Sequence, residues 1–131
     1  SEISSRNIDF VWDNDLGQDV LINKRRVQQI VLNLLKNSIQ AVPEAGMVKF
    51  KTFREGNSVI LEVSDNGSGI PPEYRNQLFD PFFTTKNNGT GLGLWIVYRL
   101  VESMRGVIEV KTEVGKGTLF QVTLPTMEVY T

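Results

Sequence analysis

The chain has 131 residues, of which 40% are hydrophobic and 22% charged, and its formal net charge is -1. These values fit one globular domain of ordinary size, and the charge gives no support to a nucleic-acid-binding surface. The sequence contains neither cysteine nor histidine, which excludes disulfides, thiolate or imidazole metal ligands and histidine-based catalytic triads. No apolar stretch approaches the ~20 residues of a membrane span, and no signal peptide opens the chain.

The first half of the chain predicts a strand, a long helix and a hairpin. Residues 7–12 alternate apolar and polar side chains, which is typical of a strand. From Lys24 to about Val42 the apolar residues follow helical spacing, and Pro43 and Gly46 end that helix. Residues 47–54 and 58–65 alternate again, and the intervening sequence EGN predicts a hairpin turn.

The second half predicts a short helical segment, a polar loop, a second long helix and a second hairpin. The sequence PPEYRNQLF favours one or two helical turns, and residues 84–91 form a glycine-rich loop. LGLWIVYRLVESM has helical spacing, with Gly106 as its C-cap. The strands VIEVKTE and TLFQVTL flank the turn VGKG. This order favours an α+β fold with the helices on one face of a sheet.

Two asparagines of the first helix are candidate functional residues. Asn33 and Asn37 are four positions apart and therefore share one face, with Asn37 at the edge of the apolar arc. Amides are unfavourable inside helices, although two exposed amides on a solvated face would fit the same pattern. An amide oxygen suits Mg²⁺, which takes few protein ligands and keeps water and phosphate oxygens.

Two glycine-rich segments are candidate ligand-binding turns. In DNGSGIPP, Asp65 ends a predicted strand, where its carboxylate could accept a hydrogen bond from a ligand amine. NNGTGLGL precedes the second long helix, and such a turn favours phosphate binding. It lacks the Lys-Ser/Thr pair of a P-loop and the preceding strand of a dinucleotide fingerprint. Taken alone, each segment also fits an ordinary turn.

In their order and spacing, five segments resemble the catalytic ATP-binding domain of two-component sensor histidine kinases. This domain belongs to the wider group that shares the gyrase and Hsp90 nucleotide fold. The matching segments are the N box NLLKNSIQAV, the first glycine box DNGSGIP, the F box FDPFFTTK, the second glycine box GTGLGL and the closing strands GKGTLFQVTLP. The NSIQA and PFFTTK variants look most like the nitrogen-regulator-type subgroup.

The resemblance covers roughly residues 7–125 and implies a two-layer α/β sandwich, the Bergerat or GHKL fold. Its sheet is mixed and mostly antiparallel, with about five strands and about three helices on one face. Residues 1–6 would be a linker from an upstream phosphoacceptor domain, residues 7–125 the catalytic domain, and residues 126–131 a C-terminal tail.

The resemblance also implies the nucleotide contacts. Asn37 would bind Mg²⁺, and Asp65 would receive the adenine amino group. Asn33 stands where gyrase-like ATPases carry a glutamate that activates water, and a neutral amide there is a poor general base; we predict that Asn33 helps a kinase to protect ATP from water. The remaining implied contacts are Gly67, Gly69, Ile70 and Thr118 around the base, and Gly89, Thr90, Gly91, Leu92, Gly93 and Leu94 around the phosphates.

Residues 71–90 would form a lid over the nucleotide. The lid would be anchored by hydrophobic contacts of Phe79, Phe82 and Phe83. Lys86 is predicted to be catalytic, because a cation just before the phosphate cradle could reach the γ-phosphate; the alternative is a solvated loop lysine. Asn23 replaces the aspartate that the family usually has before the N-box helix.

Because the chain has no histidine, it cannot form phosphohistidine by itself. The resemblance implies ATP and Mg²⁺ as cofactors, and a histidine-bearing dimerisation domain of the same protein and a response regulator as partners. It implies no nucleic acid, no direct membrane contact, a cytoplasmic location and a monomeric isolated domain.

Three alternatives share features of this pattern. A conformational ATPase of the gyrase or Hsp90 group would want an acid at position 33. A serine kinase of the anti-sigma-factor type usually has a less complete F box. A nucleotide-sensing module without transfer activity would be expected to lack Asn37 or Asp65.

Overall fold

The computed structural model describes residues 8–17, 20–43, 45–84 and 92–126. Several predictions lie outside these residues. They concern the linker over residues 1–6, Lys86, the glycine-box residues Gly89, Thr90 and Gly91, and residues 127–131 of the C-terminal tail.

Five strands form a single mixed sheet in the order β1-β2-β3-β5-β4. The strands are β1 (Asp9–Asp15), β2 (Met47–Glu55), β3 (Ser58–Asp65), β4 (Val107–Glu113) and β5 (Gly117–Pro125). β1 pairs with β2 in parallel, and the other neighbours are antiparallel. Both predicted hairpins are confirmed, and so is the mixed, mostly antiparallel α+β sheet.

In the described part of the chain, two α-helices pack against each other and against the sheet, and a short 3₁₀ helix lies between them in the sequence. They are α1 (Lys24–Ala41) and α2 (Gly93–Ser103), and the 3₁₀ helix is Pro72–Gln77. α1 begins at Asn23, whose side chain accepts a hydrogen bond from the Arg26 backbone N–H at 3.0 Å. Asparagine and aspartate are equally good N-caps, so the departure from aspartate leaves the helix start intact.

The core lies between the helices and one face of the sheet. Its buried side chains come from alternate positions of the inner strands and from one stripe of each helix: Val48, Phe50, Val59, Leu61, Val63, Phe120, Val122, Leu124, Ile30, Leu34, Val97 and Val101. β1 is an edge strand, and all seven of its residues are exposed. Its Trp12 is 61% exposed and stacks on Phe50 with ring centroids 5.8 Å apart.

Ser38 is a polar residue on the buried stripe of α1. Its Oγ is buried and has no hydrogen-bond partner among the residues that the structure describes. An unpaired buried hydroxyl costs ~1–3 kcal/mol, and alanine is also the better helix former. We expect Ser38→Ala to raise the melting temperature of the nucleotide-free domain by roughly 3–6 °C in calorimetry. A fall of several degrees would instead indicate an ordered water on the hydroxyl.

Candidate functional site

The site is built around Asp65, the last residue of β3. Asp65 is the register partner of Thr118 in β5, which in turn faces Thr112 in β4. Side chains two positions apart in a strand share a face, so Asp65 lies on the helix-facing side with the buried Val63. Its Oδ2 is buried, and its Oδ1 accepts a hydrogen bond from the Gly67 N–H at 2.9 Å.

Gly67, in the turn after Asp65, packs against the end of α1. A Cβ at this position would lie 2.5 Å from the Ala41 carbonyl oxygen and 2.9 Å from Asp65 Oδ1. Both distances are too short for a side chain, so only glycine permits this packing. The N-box helix and the first glycine box therefore meet directly beside the Asp65 carboxylate.

Thr112 is a residue of the site that the sequence analysis missed. Its Oγ1 accepts a hydrogen bond from the Ile70 N–H at 2.9 Å, lies 2.9 Å from Thr118 Oγ1 and is 3.0 Å from the Gly117 carbonyl oxygen. The register of the hairpin around VGKG places Thr112 opposite Thr118, and that signal could have identified it. Thr112 thus ties the first glycine box to the closing hairpin.

Gly69 and Arg75 fix the same loop from its other side. Gly69 has φ +77° and lies so close to the Glu113 carbonyl that a Cβ would clash with it. Arg75 Nη2 donates to the Thr112 carbonyl at 3.0 Å. Gly67 and Gly69 are therefore required by packing within the protein, whatever they contribute to a ligand.

Asn33 lies beside the beginning of α2. Its Nδ2 donates to the Gln29 carbonyl at 2.9 Å, and its Oδ1 is 3.6 Å from the position of a Cβ on Gly93. Asn37 follows one turn later on the same face of α1 and is half-buried. The structure therefore places Asn33 of the N box beside Gly93, in the described end of the second glycine box, Leu92, Gly93 and Leu94.

One of the three F-box phenylalanines, Phe79, makes a contact that anchors the predicted lid to the core, whereas the ring partner of Phe83, Tyr74, lies in the same segment 71–90. Phe79 packs against the core and lies 5.7 Å from the Tyr98 ring, and Phe83 lies 5.6 Å from Tyr74. The prediction for Phe82 is wrong, since this side chain is 74% exposed. Phe82 has φ 67° at the corner of a turn closed by the Phe83 N–H on the Asp80 carbonyl.

The donor set suits a nucleotide with its own metal better than a metal bound by protein alone. Among the described residues there is no cluster of three or more Asp, Glu, His or Cys that could hold a metal ion. A magnesium ion here would take an amide oxygen such as that of Asn37, together with phosphate and water oxygens. No helix in the described part of the chain is long and apolar enough to cross a membrane.

The family described as histidine kinase-, DNA gyrase B-, and HSP90-like ATPase matches residues 22–128. The sensor histidine kinase ZraS of Escherichia coli K12 is 38% identical over 125 residues, which cover 95% of this chain and 27% of ZraS. The chain spans about a quarter or less of the length of the curated relatives that it matches.

Solved structures of the histidine kinase ThkA and of ShkA are similar to the whole described fold. The nucleotide-free catalytic domain of ThkA has a TM-score of 0.83 and 35% identity, covering 95% of this chain and 82% of that one. ThkA in complex with the response regulator TrrA has a TM-score of 0.80 and 30% identity, covering 96% and 36%. Full-length ShkA in complex with AMPPNP has a TM-score of 0.86 and 30% identity, covering 99% and 28%.

Proposed function

Because the chain belongs to the family of histidine kinase-, DNA gyrase B-, and HSP90-like ATPases, we propose that it is the ATP-binding catalytic domain of a two-component sensor histidine kinase. It binds ATP with Mg²⁺ in the groove between α1 and the sheet. It donates the γ-phosphoryl group to a histidine on a separate dimerisation domain. The names of its relatives ZraS and ThkA support a histidine kinase over the other members of the family.

One observation carries the proposal: the carboxylate of Asp65 lies where β3, β5 and the end of α1 meet. Gly67 brings the α1 backbone against this carboxylate, and Thr118 faces it from β5. An adenine amino group bound here would donate to Asp65, and Ile70 would pack near the ring. The AMPPNP complex of ShkA supports a nucleotide in this fold.

The phosphates would lie at the other end of the groove. Backbone N–H groups of Gly89, Thr90, Gly91, Leu92, Gly93 and Leu94 would bind them at the start of α2. Leu92 holds the N-cap position of α2, and the N-terminus of a helix favours an anionic ligand. Asn37 would hold Mg²⁺, which neutralises phosphate charge when bound.

Asn33 distinguishes this kinase from water-activating relatives. It lies beside Gly93, at the start of α2, and a neutral amide cannot take a proton from water as a carboxylate can. We assign Asn33 the role of excluding hydrolysis. This disfavours a conformational ATPase of the gyrase or Hsp90 kind, and the complete F box, FDPFFTTK, disfavours an anti-sigma-factor serine kinase.

The proposed partners follow from the absence of a phosphoacceptor histidine in this chain. Since the chain has no histidine, the phosphoacceptor belongs to a dimerisation domain of the same protein, joined through a linker at residues 1–6. The ThkA–TrrA complex supports a response regulator as the second partner. Family membership supports a cytoplasmic location, and we propose that the isolated domain is a monomer.

Transfer of the γ-phosphoryl group tests the proposed function. The domain is mixed with a separately produced histidine-bearing dimerisation domain of the same parent protein and with radiolabelled Mg·ATP. We expect an acid-labile, base-stable phosphohistidine on the partner. ATP binding without any such product would overturn the kinase assignment.

The same assay tests Lys86. If Lys86 stabilises charge on the transferring phosphoryl group, Lys86→Ala should slow transfer by at least ~10-fold and change ATP affinity less than ~2-fold. Lys49→Ala is the matched control, because Lys49 is an exposed lysine in β2. Unchanged transfer in the Lys86 variant would leave Lys86 as a solvated loop lysine.

A further inference from the structure

Three hydrogen-bonding groups converge on one hydroxyl at the base end of the site. Thr112 Oγ1 receives the Ile70 N–H at 2.9 Å, donates to the Gly117 carbonyl at 3.0 Å and lies 2.9 Å from Thr118 Oγ1. Thr112 is half-buried, and Thr118 is only 7% exposed. The directions of two contacts are fixed, since an amide N–H only donates and a carbonyl only accepts.

Given a hydrogen bond from Thr112 to the Gly117 carbonyl, counting protons gives the direction of the third contact. A hydroxyl has one proton and two lone pairs. The proton of Thr112 goes to the Gly117 carbonyl, and one of its lone pairs takes the Ile70 N–H. The contact with Thr118 is then a hydrogen bond only if Thr118 donates its own proton to the remaining lone pair of Thr112.

We infer that Thr112 is a positioning residue that determines base specificity. By accepting the Thr118 proton it directs that proton away from a bound base, so that the Thr118 hydroxyl oxygen acts toward the base as a hydrogen-bond acceptor. A carboxylate at Asp65, its register partner, also only accepts hydrogen bonds. The Asp65–Thr118 pair therefore presents acceptors alone. This inference rests on the proposed nucleotide site.

A pair of side chains that only accepts hydrogen bonds favours a base that presents a hydrogen-bond donor to it. The 6-amino group of adenine carries two N–H donors, whereas the 6-oxo group of hypoxanthine or guanine has none. A 6-oxo purine leaves acceptors facing acceptors, and the unpaired buried groups weaken its binding. Without Thr112 as acceptor, the Thr118 hydroxyl can turn and donate to a 6-oxo group.

The test compares ATP with ITP, whose base carries a 6-oxo group in place of the 6-amino group and, with it, a proton on N1. Calorimetry gives the ratio of the two affinities for wild type, Thr112→Val and Thr112→Ser. We expect the preference for ATP to fall by roughly 5–10-fold in Thr112→Val and to be kept in Thr112→Ser, which retains a hydroxyl. A purely structural loosening of the Ile70 loop would weaken both nucleotides equally and leave the ratio unchanged, which would overturn the inference.

A double-mutant cycle shows whether Thr112 acts through Thr118. In a Thr118→Val background, Thr112→Val should no longer change the ATP:ITP ratio. A further change of the same size in that background would contradict the relay. A wild-type domain that binds neither nucleotide, or both equally, would instead refute the adenine site of the proposed function.

A measurement on the wild-type protein does not depend on the variants folding. Neutron diffraction of the deuterated domain locates hydroxyl deuterons directly. We expect the Thr118 deuteron between the two threonine oxygens and the Thr112 deuteron toward the Gly117 carbonyl. A Thr112 deuteron that points at Thr118 would overturn the inference.

Discussion

Asp65→Asn should reduce the affinity for ATP by roughly 10–100-fold, because a hydrogen bond to a charged acceptor contributes ~1.5–3 kcal/mol. The substitution is nearly isosteric, and the amide oxygen can still accept the Gly67 N–H that Asp65 Oδ1 now accepts. The turn should therefore keep its shape, so that the loss reports recognition of the base. Isothermal titration calorimetry of wild type and variant measures it.

The same titration with GTP tests whether Asp65 accepts a hydrogen bond from the base. GTP has a carbonyl where ATP has an amine, so wild type should prefer ATP by at least ~10-fold. Asp13→Asn, on the exposed strand β1, removes one carboxylate far from the site and should leave both affinities unchanged. Equal binding of ATP and GTP by wild type would remove Asp65 from the adenine site.

Asn37→Ala should weaken Mg·ATP binding by roughly 10–100-fold, an effect typical of disturbing a metal's surroundings, and should weaken metal-free ADP much less. The amide is proposed to reach the nucleotide through the metal, so its loss matters only when the metal is present. Calorimetry with Mg²⁺ and with a chelator separates the two cases.

Gln28→Ala is the control for the asparagine experiment. Gln28 is an exposed amide on α1, so its removal has a similar effect on helix propensity without touching the groove. Equal losses for Asn37→Ala with and without Mg²⁺ would mean that the amide shapes the pocket and does not bind the metal.

Periodicity predicted every described strand and α-helix of this fold, and all of them except β1 bury one face against the same core. The strand pattern of β1 was recognisable although its residues are exposed, since Phe10 and Trp12 still face the helix side at the sheet's edge. The sequence pattern could not show that α1 leaves β1 exposed, because this depends on where α1 ends relative to β1.

The site was predictable only in part. Asp65, Asn33 and Asn37 are recognisable in the sequence because each lies in a motif with fixed spacing. Thr112 lies in an ordinary strand, and its importance arises from a contact with Ile70, 42 positions away. Phe82 belongs to the F box, yet its positive φ directs it to solvent, and no local pattern distinguishes it from Phe83.

The strand order also dictates when the base site forms during folding. The hairpins β2–β3 and β4–β5 join neighbours in sequence and can form early, because closing a short loop costs little entropy. Their union depends on β3–β5 contacts such as that of Gln121 with Glu62, 59 positions apart. Asp65 lies in β3 and Thr118 in β5, so the two residues come together only when these strands pair. A nucleotide can therefore stabilise only chains that have completed the slow, long-range step, and refolding followed by nucleotide binding should lag behind refolding followed by hairpin signals.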